Sequence, residues 1–405
     1  SEARSIGCGL LSSEEPMFVY LDNSATTRPY PSVVQAVTRA METEYGNPSS
    51  LHRMGLEAEQ IVKESRAVIA RSLCASPENI YFTSGGTESD NTALFSAWES
   101  RKRQGKRIIT SQVEHPAVLR TCEKLEKMGA DVVYLPVDGQ GILELDVFRE
   151  ALNEDTILVS LMHVNNETGA VMPVSEVAEI LHRRNHSAIF HTDAVQSYGK
   201  LDLDVRACPV DMISLSAHKI HGPKGIGALY IREGLTLQPY VYGGGQESGF
   251  RSGTENVPGI AGFAQAAREQ WKDPEGRRAY VAEVKAYLLK RLTEEVPDLS
   301  LHTPEQSAPS VLNIGFLGCK GEVLLHMLEQ ADIFVSTGSA CSSKKSGSHV
   351  LAAMGLDRAQ IEGAIRFSFS EENTKEQMDH VVDVIGKAVA GQRRLRKAFA
   401  KEKKL

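Results

Sequence analysis

A lysine follows closely on a predicted strand near the middle of the chain. The run DMISLS (211–216) is a strand candidate, and Lys219 comes three residues after its end. A lysine amine at a strand exit, flanked by small residues and histidine, lies where it could form a Schiff base with a carbonyl compound. Most lysines are instead solvated surface charges, so this position alone leaves both interpretations open.

Two other polar segments also follow predicted strands. SGGTESDN (84–91) comes after NIYFT (79–83), and its glycines would let the backbone approach an anion such as phosphate. It lacks the spacing of a Walker loop, and taken alone it is more simply a glycine turn with an N-cap. Asp193, in HTDAVQ (191–196), could cap a helix or pair with a protonated ring nitrogen. With Lys219, these segments match the phosphate, ring nitrogen and aldehyde of pyridoxal 5′-phosphate (PLP).

Cys341 has unusual surroundings for a cysteine. An isolated cysteine is more often a small buried side chain than a nucleophile, but STGSACSSKKSG (336–347) is too polar and glycine-rich to be core. We therefore predict a mobile, exposed loop, in which Lys344 and Lys345 favour the thiolate of Cys341. The other five cysteines have no comparable setting and are expected to be structural.

Eight segments, in order from about Val19 to about Ser370, resemble those of cysteine desulfurases of the NifS/IscS type, which are fold-type I PLP enzymes of the class-V aminotransferase family. The segments are LDNSATT (21–27), GNPSSLH (46–52), TSGGTESDN (83–91), VNNETG (164–169), HTDAVQ (191–196), SLSAHKIHGPKGIG (214–227), GGGQESGFRSGTEN (243–256) and STGSACSS (336–343). No single segment is specific, but the ordered set is. Thr337 stands where the family often has serine, a difference that we do not expect to matter.

The resemblance implies a set of cofactor contacts. Lys219 would hold PLP covalently, Asp193 would keep the pyridine nitrogen protonated, and Gln196 would hydrogen-bond the ring oxygen. The phosphate would be held by Gly86, Thr87, Ser216 and His218, joined by Thr254 from the other subunit of a homodimer.

The resemblance also implies the catalytic and substrate-binding groups. His115 would stack on the ring and act as an acid–base group, while Asn166 would contact oxygens of the cofactor and substrate. Arg366 would clamp the substrate carboxylate, which suits a planar guanidinium, and Cys341 would accept the sulfur. The residue types alone also allow purely structural roles. His115 and Asn166 could be loop caps, and Arg366 could form a surface ion pair.

The activity implied by the resemblance is L-cysteine desulfuration. L-Cysteine would give L-alanine and a Cys341 persulfide, whose sulfur passes to an acceptor protein such as an iron–sulfur scaffold or a tRNA-thiolating enzyme. One alternative is a selenocysteine lyase or another PLP-dependent enzyme of the aminotransferase class, because fold and cofactor motifs do not fix the chemistry. A non-catalytic sulfur-assembly scaffold is the other, but it would be expected to have lost Lys219 or Cys341.

Composition restricts the partners. The chain has 405 residues and a net charge of −7, with no apolar run long enough to suggest a membrane span. This balance argues against direct nucleic-acid binding through bulk charge. Basic residues crowd the last fifteen positions, which we interpret as a solvated helix end, with an acidic partner or RNA as the alternative.

The six cysteines form no CxxC pair, so no zinc site or disulfide framework is indicated and no metal is expected. A reducing cytoplasm fits this pattern best. Residues 1–16 lack the basic start and apolar core of a secretory signal, so we expect an N-terminal extension, and order from near Met17.

Short β-rich runs alternate with helical patterns through the first two thirds of the chain. This alternation predicts an α/β fold with a mostly parallel seven-stranded sheet between helices, the large domain of a fold-type I PLP-dependent transferase. After about residue 262 the pattern becomes α+β, including a helix with an apolar stripe from Tyr280 to Leu292. We predict an extension at 1–17, a small domain from 18–28 and 263–405, and a large PLP-binding domain at 29–262. The strand candidates are 79–83, 107–110, 131–135, 156–164, 188–192, 211–216 and 227–231, followed by 310–316 and 364–370.

Overall fold

The computed structural model describes residues 17–184, 186–337 and 347–402. The strands are β1 (Val19–Tyr20), β2 (Ile80–Thr83), β3 (Arg107–Ser111), β4 (Asp131–Leu135), β5 (Thr156–Met162), β6 (Ile189–Asp193), β7 (Met212–Ser216), β8 (Gly227–Ile231), β9 (Leu299–Leu301), β10 (Val311–Phe316), β11 (Ile333–Phe334) and β12 (Ala364–Ser368). The helices are α1 (Pro31–Glu42), α2 (Arg53–Ser72), α3 (Gly86–Arg101), α4 (Pro116–Lys127), α5 (Leu145–Ala151), α6 (Val174–Arg183), α7 (Val257–Gln270), α8 (Pro274–Glu295), α9 (Gly321–Glu329), α10 (His349–Ala353), α11 (Arg358–Glu362) and α12 (Lys375–Glu402).

The large sheet has seven strands in the order β2-β8-β7-β6-β5-β3-β4, and only β8 runs antiparallel to its neighbours. Each strand predicted for this region is present, with ends within two residues of those expected. The prediction of a mostly parallel, seven-stranded α/β sheet is therefore confirmed.

Alternating residues of each central strand pack on opposite helical layers. In β5, Leu158 belongs to the core formed with α3 and α4, whereas the next residue, Val159, belongs to the core formed with α2, α6 and α7. This burial on both faces explains why the strands are almost continuously apolar. Because β2, β3, β5, β6 and β7 run in the same direction, their carboxyl ends meet at one edge, where ligands of such sheets bind.

A second core forms around two smaller sheets. β12, β10 and β9 make an antiparallel sheet, and β1 pairs in parallel with β11. Val284, Leu288 and Leu292 of the predicted stripe on α8 are buried in this core, whereas Tyr280 is 37% exposed. Val19 and Leu21 join the same core from the N-terminal end of the described chain.

The boundaries between the two predicted domains stay a prediction. Helix α7 lies across the predicted boundary at residue 262, and its buried Ile260 and Phe263 pack in the core of the large sheet. Residues 1–16 of the predicted extension lie outside the described residues, whereas Met17 packs against the second core. None of the helices described in the three ranges is both long and apolar enough to cross a membrane.

Candidate active site

A cavity of about 350 Å³ opens at the carboxyl-end edge of the large sheet, where the loops after β2, β3, β5, β6 and β7 meet β12 and residues 22–25. The predicted site residues on its walls are Gly86, Thr87, His115, Asn166, Asp193, Gln196, Ser216, His218, Lys219 and Arg366. The fold thus gathers these ten side chains and backbone positions in one cavity.

Lys219 ends a short 3₁₀ turn, Ala217–Lys219, that directly follows β7. Its Nζ donates hydrogen bonds to the carbonyl oxygens of Ser24 (2.5 Å) and Ala25 (2.9 Å). The same turn is held to the N-terminal segment by Thr27, whose amide and hydroxyl both donate to the carbonyl of His218. The segment around residues 24–27 therefore positions the lysine.

Asp193 is the last residue of β6 and is 5% exposed. Burial raises the pKa of its carboxyl group, whereas the nearby His115, the backbone N–H of Val195 and Lys219 lower it. One oxygen, Oδ1, accepts the Val195 N–H at 2.9 Å. A protonated ring nitrogen in the cavity would supply the cation that stabilises the charged form of this carboxylate.

The loop between β2 and α3 has the geometry of an anion cradle. Gly85 has φ = +149°, which favours glycine, and α3 begins at the next residue, so its first backbone amides face the cavity edge. A Cβ on Gly86 would lie 2.6 Å from Val195 Cγ2. Beside the cradle, the Oγ of Ser216 is buried with no hydrogen-bond partner among the described residues. A phosphate group would satisfy this hydroxyl, so the residues present fit PLP.

His115 is the N-cap of α4. Its Nδ1 accepts the backbone N–H of Ala117 at 3.1 Å, and burial lowers the pKa of the imidazole, against the opposing influence of Asp193. The ring is therefore neutral near pH 7 with its proton on Nε2. The helix cap considered from the sequence and an acid–base role use different nitrogens, so they are compatible.

Arg366 is the central residue of β12 and its side chain is 6% exposed. Its Nη1 donates to the carbonyl of Asn166 at 3.0 Å, and its Nη2 donates to Asp22 Oδ1 at 2.7 Å. The exposed surface ion pair considered as an alternative for Arg366 is therefore excluded, because this pair lies in the cavity wall.

Gln196 has an unambiguous amide orientation. Lys200 can only donate, and its Nζ lies 3.3 Å from Gln196 Oε1, while the carbonyl of Ser24 can only accept and receives Gln196 Nε2 at 2.9 Å. The amide nitrogen therefore faces Ser24, whose carbonyl also accepts from Lys219 Nζ.

Two predicted site residues are not among the cavity residues named above. Thr254 is exposed and does not line it, so its contribution to a partner subunit stays a prediction. Cys341 belongs to residues 338–346, which lie outside the described residues. The chain before and after that segment does reach the cavity, because Ser336 and His349 both line its wall.

Four titratable residues of the cavity wall were not assigned roles from the sequence: Asp22, Asp90, Glu167 and His349. The first three lie within sequence segments that carry the family resemblance, and this position is the sequence feature that could have indicated them. Burial raises the pKa of Asp90 well above its usual range and that of Glu167 to about 7. Ser348 donates to Glu167, and His349 Nε2 lies 3.1 Å from the carbonyl of Glu114.

Metal binding has no support in the part of the chain that the structure describes. In residues 17–184, 186–337 and 347–402, no group of three or more His, Cys, Asp or Glu side chains is arranged to hold an ion.

Comparison with known proteins shows what this chain is similar to. A family model described as aminotransferase class-V matches residues 19–381. A cysteine desulfurase from Trichormus azollae is 43% identical over 373 residues, covering 92% of each chain. A solved structure of a NifS-like protein superposes with a TM-score of 0.87 and 39% identity, covering 92% of this chain and 100% of that one. A structure described as SspA in complex with cysteine has a TM-score of 0.78 and 33% identity, covering 87% of this chain and 99% of that one.

Proposed function

Since the chain belongs to the class-V aminotransferase family, we propose that it is a PLP-dependent L-cysteine desulfurase. The reaction would convert L-cysteine to L-alanine and leave the sulfur as a persulfide on Cys341. The observation that carries the proposal is that Lys219, Asp193 and Arg366 share one cavity with Ser336 and His349, which flank the Cys341 segment. A relative named cysteine desulfurase and a similar structure described with cysteine support the same substrate.

The cavity offers a partner for each polar part of PLP. Gly86, Thr87, Ser216 and His218 would hold the phosphate, Asp193 the ring nitrogen, Gln196 the ring oxygen and Lys219 the aldehyde carbon. Bound there, PLP supplies an electron sink for the charge left when a proton is removed from the substrate Cα.

The chain's own groups bind the substrate and move its protons. Arg366 would hold the α-carboxylate, with Asn166 beside it. The Lys219 amine would take the Cα proton, and the carbonyls of Ser24 and Ala25 would stabilise the resulting ammonium group. His115, which is neutral with its proton on Nε2, would serve as a second acid–base group.

Cys341 would act as the sulfur acceptor. It lies five positions after Ser336, so the Cα atoms of these two residues can be no farther than about 18 Å apart. Its thiolate would attack the substrate sulfur, so that a sulfur–sulfur bond forms as the substrate carbon–sulfur bond breaks. The electron pair stays on carbon and is then protonated, which gives L-alanine and the Cys341 persulfide.

The wider context forms part of the same proposal. Thr254 is exposed in the single chain, as expected for a residue that would contact the cofactor of the partner subunit in a homodimer. A persulfide requires an acceptor protein, for which an iron–sulfur scaffold or a tRNA-thiolating enzyme is suitable, and neither membrane nor direct nucleic-acid binding is part of the activity. Cys74, Cys122, Cys208 and Cys319 are free thiols, which suits a reducing cytoplasm.

Replacement of Cys341 by serine tests the proposal. The Cys341→Ser holoenzyme should keep its cofactor absorbance but form neither persulfide nor more than background L-alanine from L-cysteine. Cys208→Ser, at a half-buried free thiol, is the control and should behave as wild type. Full alanine release by Cys341→Ser, or none by wild type, would overturn the assignment. Following radiolabelled sulfur from Cys341 into candidate acceptors would then identify the partner.

A further inference from the structure

The guanidinium group of Arg366 already has a carboxylate partner from the same chain. Asp22 Oδ1 accepts from Nη2 at 2.7 Å, and the Asn166 carbonyl accepts from Nη1 at 3.0 Å. The third nitrogen, Nε, is buried and has no hydrogen-bond partner among the described residues. On the edge of the guanidinium group formed by Nε and Nη2, Nη2 therefore has a hydrogen-bond partner and Nε has none among the described residues.

This edge is the one that a substrate carboxylate needs. Arginine recognises carboxylates best through two parallel N–H···O bonds from one edge of the planar group. A substrate carboxylate that pairs with this edge would satisfy Nε, but it would reach Nη2 only by displacing Asp22 or sharing that nitrogen with it. The two carboxylates would also repel each other at this short range.

The backbone keeps Asp22 beside Arg366. The next two residues are bound to β12, since Asn23 Nδ2 donates to the Ser368 carbonyl (2.9 Å) and the Ser24 amide donates to Ser368 Oγ (2.8 Å). Asp22 itself forms a bridge with Ser368. A carboxylate held in this way competes at high effective concentration. Its side chain is 24% exposed, against 6% for Arg366, so it lies on the more open side of the pair.

We propose that Asp22 is a specificity-determining residue: an internal carboxylate that competes with the substrate α-carboxylate for the Nε–Nη2 edge of Arg366 and so weakens the binding of carboxylate ligands. This inference rests on the proposed function, in which Arg366 binds the α-carboxylate. If Asp22 only held Arg366 in position, removing its charge would instead weaken the binding of carboxylate ligands.

Binding of two small amines to the holoenzyme separates these roles. L-Alanine carries the α-carboxylate and no sulfur, whereas ethylamine lacks the carboxylate, and both can be titrated by the change in cofactor absorbance. Asp22→Asn should bind L-alanine roughly 2- to 5-fold more tightly than wild type, the range expected for one partly exposed charge. Its affinity for ethylamine should be unchanged. Unchanged or weaker L-alanine binding, or equal tightening for both amines, would overturn the inference.

Asp211→Asn is the matched control. Asp211 pairs with Arg232 at 2.6 Å next to the first residue of β7, at the end of the strand away from the cavity. Its loss should leave the L-alanine to ethylamine affinity ratio as in wild type. If Asp22→Asn does not fold, Asp22→Ser removes the same charge and carries the same expectation, while Asp22→Glu should keep weak L-alanine binding.

The outcomes also separate this inference from the function on which it rests. A wild-type holoenzyme that binds both amines, with a ratio that Asp22→Asn does not change, rejects the role of Asp22 alone. A wild-type protein that binds neither amine and makes no alanine from L-cysteine rejects both.

Discussion

The Nζ of Lys219 lies 2.5 Å from the carbonyl oxygen of Ser24, which is 195 residues earlier in the chain. This contact joins the turn after β7 to the segment that follows β1. It fixes the amine at the wall of the cavity that Asp193 and Arg366 also line, and it supplies a carbonyl acceptor for the ammonium form.

Replacing Lys219 by alanine should abolish the covalent attachment of PLP. We expect the Lys219→Ala protein to fold, to lose the visible absorbance of the attached cofactor, and to release PLP on gel filtration. Lys224→Ala, at an exposed lysine five residues later, is the control and should keep both the absorbance and the cofactor. An unchanged spectrum in Lys219→Ala would show that another amine holds the cofactor.

Gly86 should be required for cofactor affinity rather than for folding. A Cβ at this position would lie 2.6 Å from Val195 Cγ2, next to the exposed amides of α3, so Gly86→Ala must shift the cradle. We expect the dissociation constant for PLP to rise by roughly 10-fold or more, which corresponds to about 1.4 kcal/mol.

Gly386→Ala is the control for this substitution. Gly386 lies inside α12, and a Cβ there would have no heavy atom within 4 Å. Alanine should stabilise that helix by about 0.5–1 kcal/mol without changing PLP affinity. Equal PLP affinity in Gly86→Ala and wild type would contradict the proposed cradle.

His115 should have separable structural and chemical roles. Asparagine is a good N-cap and can accept the Ala117 N–H in place of Nδ1, but it cannot replace an Nε2–H imidazole. His115→Asn should therefore keep near wild-type stability while alanine formation falls by about 10²- to 10⁴-fold. Thermal unfolding and single-turnover assays would measure the two effects.

The chain contains a matched cap for comparison. His52 is the N-cap of α2, and its Nδ1 accepts the Gly55 N–H at 3.3 Å. His52→Asn makes the same substitution at the same kind of position, away from the cavity, so it should leave turnover unchanged. Similar losses of activity in both variants would mean that His115 acts only as a cap.

Sequence patterns predicted the central part of this fold because local signals suffice there. The strands β5 to β8 are buried on both faces, and their mainly apolar residues contrast with the amphipathic helix α6 that separates β5 from β6. The residues at their ends, such as Asp193 and Lys219, could be recognised because parallel strands bring their carboxyl ends to one edge.

Contacts between distant segments could not be predicted from local sequence patterns. Asp22 and Arg366 are 344 residues apart, and neither periodicity nor composition indicates that they pair. His349 lines the cavity next to Ser348, which is bound to Glu167, 181 residues earlier in the chain. The role of Cys341 remains a prediction from its surroundings in the sequence.

Glu114 should make the stability of the fold depend on pH. It is fully buried, with Ser111 Oγ (2.6 Å) and the Met162 N–H (3.0 Å) donating to Oε1, while Oε2 has no hydrogen-bond partner among the described residues. Burial raises its pKa to about 8, so the folded chain binds a proton here that the unfolded chain has lost above about pH 4.5.

The contribution of Glu114 to the free energy of unfolding is therefore fully present below about pH 4.5 and is lost as the pH rises through about 8. Glu114→Gln keeps the shape but cannot ionise, so the difference in urea midpoint between variant and wild type should grow in favour of the variant from pH 5 to pH 8.

His163, His191 and His218, whose pKa values burial lowers to about 4, 3 and 4, titrate alike in both proteins and cancel in this difference. Glu150→Gln, at an exposed glutamate, should give a curve parallel to wild type. A difference for Glu114→Gln that stays constant across this range would mean that Glu114 is ionised in the folded protein at pH 5.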